Sequence, residues 1–303
     1  MGTPEEIVAR ILKLKEKRDA VILAHNYQIP AIQDLADLTG DSLELSRAVT
    51  QVDRSVIVFC GVDFMAESAA ILNPGKTVQI PSMHACCPMA AMATAEKVRA
   101  ARREHPGAAV CSYVNTSAEV KAESDICCTS ANGVRVVESL EEDEVIFVPD
   151  KNLGHYVSTQ TDKRIVLWPG HCIVHERLTL EEVQAVRRQH PQAMLLVHPE
   201  CRPEVVSAAD IVLSTSGMLR YAQQSEAGEF IIATEEGLLH PLRKENPEKR
   251  FHLAAPHMVC RAMKQITLEN LLESLEQGRY VVRVPEKMRV RAKRALDRML
   301  SVY

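Results

Sequence analysis

Short apolar runs recur along the chain, and each is followed by polar residues and then by a stretch whose apolar residues have helical spacing. Runs of this length that alternate with helices are typical of buried strands in parallel sheets. The pattern predicts strands at residues 20–23, 56–59, 77–80, 109–112, 145–148, 164–168, 194–197, 230–233 and 251–254. It predicts two further helices after the last strand, at residues 267–277 and 286–299.

This pattern repeats three times at a nearly constant interval. In each repeat a threonine stands two positions before a glutamate and opens an apolar helical stretch, which is typical of a helix N-cap. These threonines are Thr94, Thr179 and Thr267. Seven residues before each of them, just past a predicted strand, stands a cysteine. The cysteines are separated by 85 and 88 residues and are Cys87, Cys172 and Cys260.

Strands that alternate with helices at this spacing imply parallel sheets with helices on both faces and right-handed crossovers. The sequence therefore predicts an α/β fold of three α/β/α units, whose parallel sheets are related by approximate threefold symmetry. We expect these units at residues 1–87, 88–172 and 173–260, and we expect residues 261–303 to close back on the first unit.

Three sets of polar residues recur with the same separations of 88 and 85 residues. One set ends the first strand of each unit, the next lies two residues further on, and the third lies where a helix opens. In order, the sets are His25, Tyr113 and His198; Tyr27, Asn115 and Glu200; and Ser42, Ser130 and Thr215. Because ligands bind at the carboxyl ends of parallel strands, we expect these side chains to face one site.

These residue types suit the binding and proton chemistry of an anionic ligand. Free N–H groups at helix N-termini favour anions, so the Ser and Thr set predicts binding of carboxylate or phosphate groups. Tyr27, His198 and Glu200 are candidates to move protons on the ligand. Taken singly, each of these residues could instead be a helix cap or a structural hydrogen bonder.

Three cysteines from three symmetric units would converge and form a metal site. Structural zinc normally takes four ligands, often in Cys-x2-Cys pairs, and the sequence contains no such pair. A 4Fe-4S cluster held by three cysteines leaves one iron open to bind substrate as a Lewis acid, so we favour the cluster. Cys86 competes with Cys87 but breaks the seven-residue offset. The remaining cysteines are expected to pack: Cys60, Cys111, Cys127, Cys128 and Cys201.

Composition narrows the class of protein. The 303 residues include 36 Lys and Arg and 40 Asp and Glu, and the resulting net charge of −4 does not favour nucleic acid as a partner. No span of about 20 apolar residues predicts a membrane helix, and charges between Glu5 and Arg18 interrupt any export signal. We therefore expect a cytoplasmic protein whose nine cysteines are reduced and whose partner is a small anionic molecule.

The chain resembles the quinolinate synthase family along its whole length. The resemblance is carried by short stretches that are specific in combination. They are 23–28 (LAHNYQ), 40–42 (GDS), 61–67 (GVDFMAE), 113–115 (YVN), 128–132 (CTSAN), 149–154 (PDKNLG), 170–172 (GHC), 197–201 (VHPEC) and 267–271 (TLENL).

The resemblance implies three units around a central 4Fe-4S cluster held by Cys87, Cys172 and Cys260. It implies condensation of iminoaspartate (iminosuccinate) with dihydroxyacetone phosphate to give quinolinate, phosphate and water. It also implies a functional link to an L-aspartate oxidase or dehydrogenase that supplies iminoaspartate. Tyr27 would lie close to the chemistry. The substrate would be bound by His25, Ser42, Tyr113, Asn115, Ser130, His198, Glu200 and Thr215.

The sequence departs from the family's pattern in one place, and two other functions remain open. Some longer members of the family carry a Cys-x2-Cys-x2-Cys run near the last ligand, whereas Cys260 stands alone here. A hydro-lyase with the same open-iron chemistry would dehydrate a small hydroxy acid and would need no triose phosphate. A non-enzymatic sensor of iron or oxygen would need a recognition element such as a basic helix, and none is evident in the sequence.

Overall fold

Three separate parallel sheets form the framework of residues 2–302, the part of the chain that the computed structural model describes. Each sheet has four strands in the same order: the second strand, the first, the third and the fourth. The first sheet contains β1 (Ala20–His25), β2 (Leu38–Gly40), β3 (Val56–Cys60) and β4 (Thr77–Gln79). The second contains β5 (Ala109–Tyr113), β6 (Ile126–Cys128), β7 (Glu144–Val148) and β8 (Arg164–Leu167). The third contains β9 (Met194–Val197), β10 (Ile211–Val212), β11 (Glu229–Ala233) and β12 (Arg250–Leu253).

The predicted α/β fold with three repeated units is therefore confirmed, and the nine predicted strands all occur. The shorter strands β2, β6 and β10 were not predicted. They have only three, three and two residues, and each lies at the edge of its sheet. Polar residues bound each of them closely, namely Asp37 and Asp41, Asp125 and Thr129, and Asp210 and Ser214, so no apolar run of ordinary strand length marks it.

Helices cover the sheets and join successive strands. Their bounds are α1 (Pro4–Lys17), α2 (Pro30–Leu35), α3 (Ser42–Val49), α4 (Asp63–Leu72), α5 (Ala95–Glu104), α6 (Ala118–Ala122), α7 (Gly133–Glu138), α8 (Lys151–Ser158), α9 (Leu180–Gln189), α10 (Pro203–Ser207), α11 (Thr215–Gln224), α12 (Leu239–Glu245), α13 (Leu268–Gln277) and α14 (Glu286–Ser301). The predicted caps Thr94, Thr179 and Thr267 each accept a backbone N–H at the start of α5, α9 and α13. The sequence repeat thus marks equivalent helix starts.

The apolar core is continuous across the first two units, whereas the third unit has its own apolar layers on the two faces of its sheet. Helix α13 packs against α1. Helix α14 packs against α6 and β6 of the second sheet and against α4 of the first. The C-terminal helices therefore bridge the first two units. Between residues 2 and 302 no helix combines the length and the apolar character needed to cross a bilayer.

Strand register sets the geometry of the site. His25 ends β1 opposite Gly40, Tyr113 ends β5 opposite Cys128, and Val197 ends β9 opposite Val212. In each unit the end of the first strand therefore lies beside the turn that leads to the next helix. This pairing places the strand end and the start of that helix on the same side of each sheet.

Candidate active site

The carboxyl ends of the strands from all three units surround one cavity. All twelve candidate site residues from the sequence repeat line it, together with Asp41, His175 and Glu235. The predicted residues are His25, Tyr27, Ser42, Cys87, Tyr113, Asn115, Ser130, Cys172, His198, Glu200, Thr215 and Cys260.

The cysteines divide into two groups by position. Cys87, Cys172 and Cys260 are partly exposed in the cavity wall, and burial raises the pKa of all three thiols. Cys86 is exposed outside this cavity, where its Sγ donates to the carbonyl of Met83 over 3.2 Å. The cysteines expected to pack are all buried: Cys60, Cys111, Cys127, Cys128 and Cys201. All nine cysteines are free thiols.

A carboxylate holds the loop of each cavity cysteine. The backbone N–H of Cys87 donates to Asp63 Oδ1 over 3.0 Å, and that of Cys172 donates to Asp150 Oδ2 over 3.0 Å. In the third unit the N–H of Cys260 donates to Glu235 Oε1 over 2.9 Å. These three hydrogen bonds fix the cysteine backbone at the same place in each unit.

The same carboxylates also bind backbone N–H groups where the next helical segment begins. Asp63 accepts from Phe64, Asp150 from Asn152 and Leu153, and Glu235 from Gly237. The three carboxylates are separated by 87 and 85 residues, so the repeat contained a signal for them that the sequence analysis did not use. Each one ties a cysteine loop to the segment that follows the third strand of its sheet.

The loop that carries Tyr27 is held by the third unit. Nζ of Lys264 donates to the carbonyl of Tyr27 over 2.7 Å and lies 2.9 Å from Glu235 Oε1. A Cβ at Gly237 would lie 2.8 Å from the carbonyl carbon of Tyr27, so only glycine permits this close backbone approach. Glu235 thus links the Cys260 loop to the Tyr27 loop.

A hydrogen-bonded chain connects Glu200 to Tyr27. Glu200 Oε2 lies 2.7 Å from His175 Nδ1, and His175 Nε2 lies 2.9 Å from Thr234 Oγ1. Thr234 Oγ1 in turn lies 2.6 Å from the Tyr27 hydroxyl. His175 Nδ1 is also 3.2 Å from Cys172 Sγ. Neither His175 nor Thr234 was predicted. The repeat gives no signal for His175, because Ala90 and Met263 occupy the equivalent positions.

Burial and charge set the protonation states in the cavity. Burial lowers the pKa of His25 and of His198 to about 3, so both rings are neutral near pH 7. Burial opposes ionisation of Glu200, but the contact with His175 and a hydrogen bond from Tyr113 outweigh it and lower the pKa of that carboxyl. Burial and the Glu200 charge raise the pKa of Tyr27, which keeps its proton. The cavity therefore combines an ionised carboxylate with neutral hydrogen-bond donors.

The tautomers of the two neutral histidines follow from their backbone contacts. Nδ1 of His25 accepts the N–H of Tyr27 over 3.1 Å, and Nδ1 of His198 accepts the N–H of Glu200 over 3.3 Å. The proton of each ring must then be on Nε2. Nε2 of His198 lies 3.2 Å from the hydroxyl of Ser130, so it donates there.

The predicted Ser and Thr set lies where α3, α7 and α11 begin. Ser42 and Thr215 are the first residues of α3 and α11, and the side chains that cap these helices are those of Asp41 and Ser214. Asp41 Oδ2 also accepts from the Ser214 hydroxyl over 3.2 Å, which joins the first and third units. Ser130 precedes α7 by three residues. The hydroxyls of this set are therefore not used as helix caps.

Two groups among residues 2–302 place three ligand atoms within 4.8 Å of one another, as binding of one metal ion requires. One is Cys172, His175 and Glu200 in this cavity, and the other is His190, Glu229 and His252 elsewhere in the third unit. The three cavity cysteines do not form such a group. Their sulfurs are spread too widely to bind a single ion together.

The fold and cavity define a class of α/β protein in which three equivalent units bring cysteine thiols and acid–base side chains to one central site. Comparison with known sequences gives the family. A model of the NadA family, described as quinolinate synthetase A protein, matches residues 9–301, and the chain belongs to this family.

Curated relatives match over nearly the whole chain. A quinolinate synthase of Methanoregula boonei is 57% identical over 292 residues, which cover 96% of this chain and 97% of that protein. Quinolinate synthase 1 of Methanosarcina acetivorans is 54% identical over 297 residues, or 98% of each chain. A quinolinate synthase of Desulforudis audaxviator is 51% identical over 303 residues, the full length of both chains.

Proposed function

We propose that the protein is a quinolinate synthase, which condenses iminoaspartate with dihydroxyacetone phosphate to give quinolinate, phosphate and water. The observation that carries this proposal is the convergence of the twelve candidate site residues on one cavity. Membership of the family and the names of its relatives support the same reaction.

The cysteine set fits a 4Fe-4S cluster. Cys87, Cys172 and Cys260 come from three different units, line one cavity and have their backbones fixed by carboxylates. Because their sulfurs are too far apart to share one ion, a polynuclear cluster suits them better than zinc. When bound, the cluster would supply an iron without a protein ligand, which can act as a Lewis acid. Its binding requires three thiolates and therefore releases protons.

The N-terminal ends of α3 and α11 and the neutral rings of His25 and His198 suit two anionic substrates. Ser42 and Thr215 present hydroxyls at the N-terminal ends of α3 and α11, where the helix dipole favours carboxylate or phosphate. His25 and His198 carry their protons on Nε2 and can donate hydrogen bonds without adding charge. Asn115 Oδ1 is buried without a partner, so a bound donor would satisfy it. We assign substrate binding to these residues together with Tyr113, Ser130 and Glu200.

Proton transfer is assigned to Tyr27, His198 and Glu200. Glu200 is ionised and can accept a proton, while Tyr27 is protonated and can donate one. His175 and Thr234 join the two groups by a continuous chain of hydrogen bonds. A proton that Glu200 has taken from the substrate can pass along this chain and replace one that Tyr27 has donated.

The nine free thiols suit a reducing compartment, so we place the enzyme in the cytoplasm. An L-aspartate oxidase or dehydrogenase would supply iminoaspartate beside it.

An anaerobic product assay tests the proposal. The purified holoenzyme is mixed with dihydroxyacetone phosphate and with iminoaspartate formed from oxaloacetate and ammonia, and quinolinate is measured by chromatography. We expect quinolinate and phosphate in equal amounts, and no quinolinate when either substrate is left out. Dehydration of small hydroxy acids without quinolinate formation would instead show a hydro-lyase.

A further inference from the structure

A second group of metal-ligating side chains lies in the third unit, away from the carboxyl ends of its strands. Glu229 is the first residue of β11, His190 follows α9, and His252 lies in β12. Five residues of extended chain separate Glu229 from Thr234 at the cavity, a distance of roughly 16 Å. The group is therefore independent of the catalytic cavity and of the function proposed for it.

Both histidines of this group are directed to the same carboxylate oxygen. Nδ1 of His190 lies 3.1 Å and Nε2 of His252 lies 2.8 Å from Glu229 Oε1. The two rings are stacked, with centroids 3.6 Å apart and planes inclined by 19°. A tetrahedral ion with bonds of about 2.0–2.2 Å holds its ligand atoms roughly 3.3 Å apart, close to these spacings. To bind one ion, the two rings would rotate out of this stack until both nitrogens point at the same position.

Solvent can reach the group. The side chains of His190 and His252 are 28% and 26% exposed, and that of Glu229 is 13% exposed. Two imidazole nitrogens and one carboxylate form a donor set that binds Zn²⁺ with water in the fourth position. The Arg250 guanidinium binds the other oxygen, Glu229 Oε2, over 3.3 Å and leaves Oε1 to the histidines.

The equivalent position in the second unit forms ion pairs but offers only one imidazole. There His105 Nδ1 lies 3.2 Å from Glu144 Oε1, and Arg164 Nε lies 3.2 Å from the same oxygen. Val166 holds the position in β8 that His252 holds in β12, the third residue of the strand. The third unit therefore keeps the histidine and arginine partners of the glutamate and adds a second imidazole, which an ion pair does not need.

We propose that His190, Glu229 and His252 form a second, peripheral metal site that takes a divalent transition-metal ion of the kind bound by imidazole and carboxylate. Zn²⁺ is an ion of this kind and is the probe used in the test, and water would complete its coordination. The two histidines bind as neutral rings, and Glu229 supplies the negative charge. The ion would tie the end of α9 to two strands of the third sheet.

Zinc titration of the holoenzyme tests the site. Cluster-loaded protein, with its iron content measured before and after, is titrated anaerobically with Zn²⁺ alone at micromolar concentration. The variant His252→Val installs the residue of the second unit and keeps the contacts of Glu229 with His190 and Arg250. Wild type is expected to bind one more equivalent of zinc than this variant and to gain thermal stability when zinc is added.

Two further variants keep the test decisive. His190→Ala removes the other imidazole and is expected to lose the same equivalent, so it replaces His252→Val if that variant does not fold. His105→Ala removes the single imidazole of the second-unit pair and is expected to bind zinc as wild type does. Zinc bound by exposed cysteines contributes equally in every sample. Equal zinc uptake by wild type and the variants of the third unit would overturn the proposal.

Discussion

Nδ1 of His175 lies 2.7 Å from Oε2 of Glu200, and both side chains are almost completely buried. This contact keeps Glu200 ionised in a place where burial alone would favour the neutral acid. Through Thr234 it also connects Glu200 to the hydroxyl of Tyr27. The two residues assigned to proton transfer therefore form one network rather than two separate sites.

The first prediction concerns that network. Glu200→Gln removes the base and Tyr27→Phe removes the acid, and a positioned acid or base contributes about 10²–10⁴ in rate. Each variant is therefore expected to lose activity on that order in rapid-quench assays, with iron content unchanged. Thr234→Val breaks the link between them and is expected to slow the reaction less.

Tyr221→Phe is a matched control. It also removes a tyrosine hydroxyl, but that hydroxyl donates to Met194 Sδ in the apolar layer of the third unit. Its activity should equal that of wild type. Near-normal turnover in both Glu200→Gln and Tyr27→Phe would show that the two residues only pack or pair in the cavity.

The second prediction separates substrate binding from helix capping. Ser42→Ala removes a hydroxyl that does not cap α3, because Asp41 fills that role. Loss of a hydrogen bond to a charged group costs about 1.5–3 kcal/mol, so KM is expected to rise about 10- to 150-fold. The free energy of unfolding should stay unchanged.

Thr94→Ala provides the opposite case. Thr94 caps α5 and does not line the cavity, so its loss should lower stability by about 1 kcal/mol and leave KM unchanged. If Ser42→Ala behaves like Thr94→Ala, with lower stability and an unchanged KM, the hydroxyl serves the fold and not the substrate.

Much of this site could be predicted from the sequence because the threefold repeat imposes the same geometry on each unit. A cysteine seven residues before a capping threonine, and a polar residue at a strand end, recur at fixed separations. Chance does not maintain such offsets. The repeat therefore selected Cys87, Cys172 and Cys260 without any knowledge of how the chain folds.

The rest depended on contacts that break the symmetry or cross between units. His175 has no equivalent in the other two units, so no repeat marks it. The bond from Thr234 to Tyr27 joins residues 207 positions apart, which no local pattern reveals. Asp63, Asp150 and Glu235 recur at a nearly constant interval but follow the third strand of each sheet, where no site was expected.

The third prediction concerns the carboxylates that hold the cysteine loops. Asp150→Ala leaves the N–H of Cys172 and two N–H groups of α8 without their acceptor. Leaving a buried donor unsatisfied costs about 1–3 kcal/mol. Urea unfolding of the cluster-free variant should show at least this loss, and the loaded variant should release iron faster. Asp150→Asn keeps one acceptor oxygen, so its loss should be smaller. Wild-type stability and iron retention in Asp150→Ala would contradict this role.

The fourth prediction is a pH dependence of stability. Burial lowers the pKa of His198 to about 3, against about 6.5 for an unfolded histidine. Below pH 6.5 the unfolded chain therefore binds the extra proton, and stability falls as the pH decreases. One such group contributes a slope of up to about 1.4 kcal/mol per pH unit.

His198→Asn cannot titrate and should lose this contribution. Urea unfolding of the cluster-free protein between pH 4.5 and 7 should give a shallower slope for the variant than for wild type. His105→Asn changes a partly exposed histidine outside the cavity and serves as the control. An equal slope in wild type and His198→Asn would show that His198 is not held neutral by burial.

The most direct test of the account measures iron, sulfide and quinolinate on the same anaerobic samples. The samples are wild type, the variant Cys86→Ser and the three single Cys→Ser variants at Cys87, Cys172 and Cys260. A 4Fe-4S cluster on three cysteines predicts four irons per chain and quinolinate turnover in wild type and in Cys86→Ser. Each of the other three variants should lose both. An intact, active cluster in Cys87→Ser together with its loss in Cys86→Ser, or quinolinate formation by iron-free wild type, would contradict it.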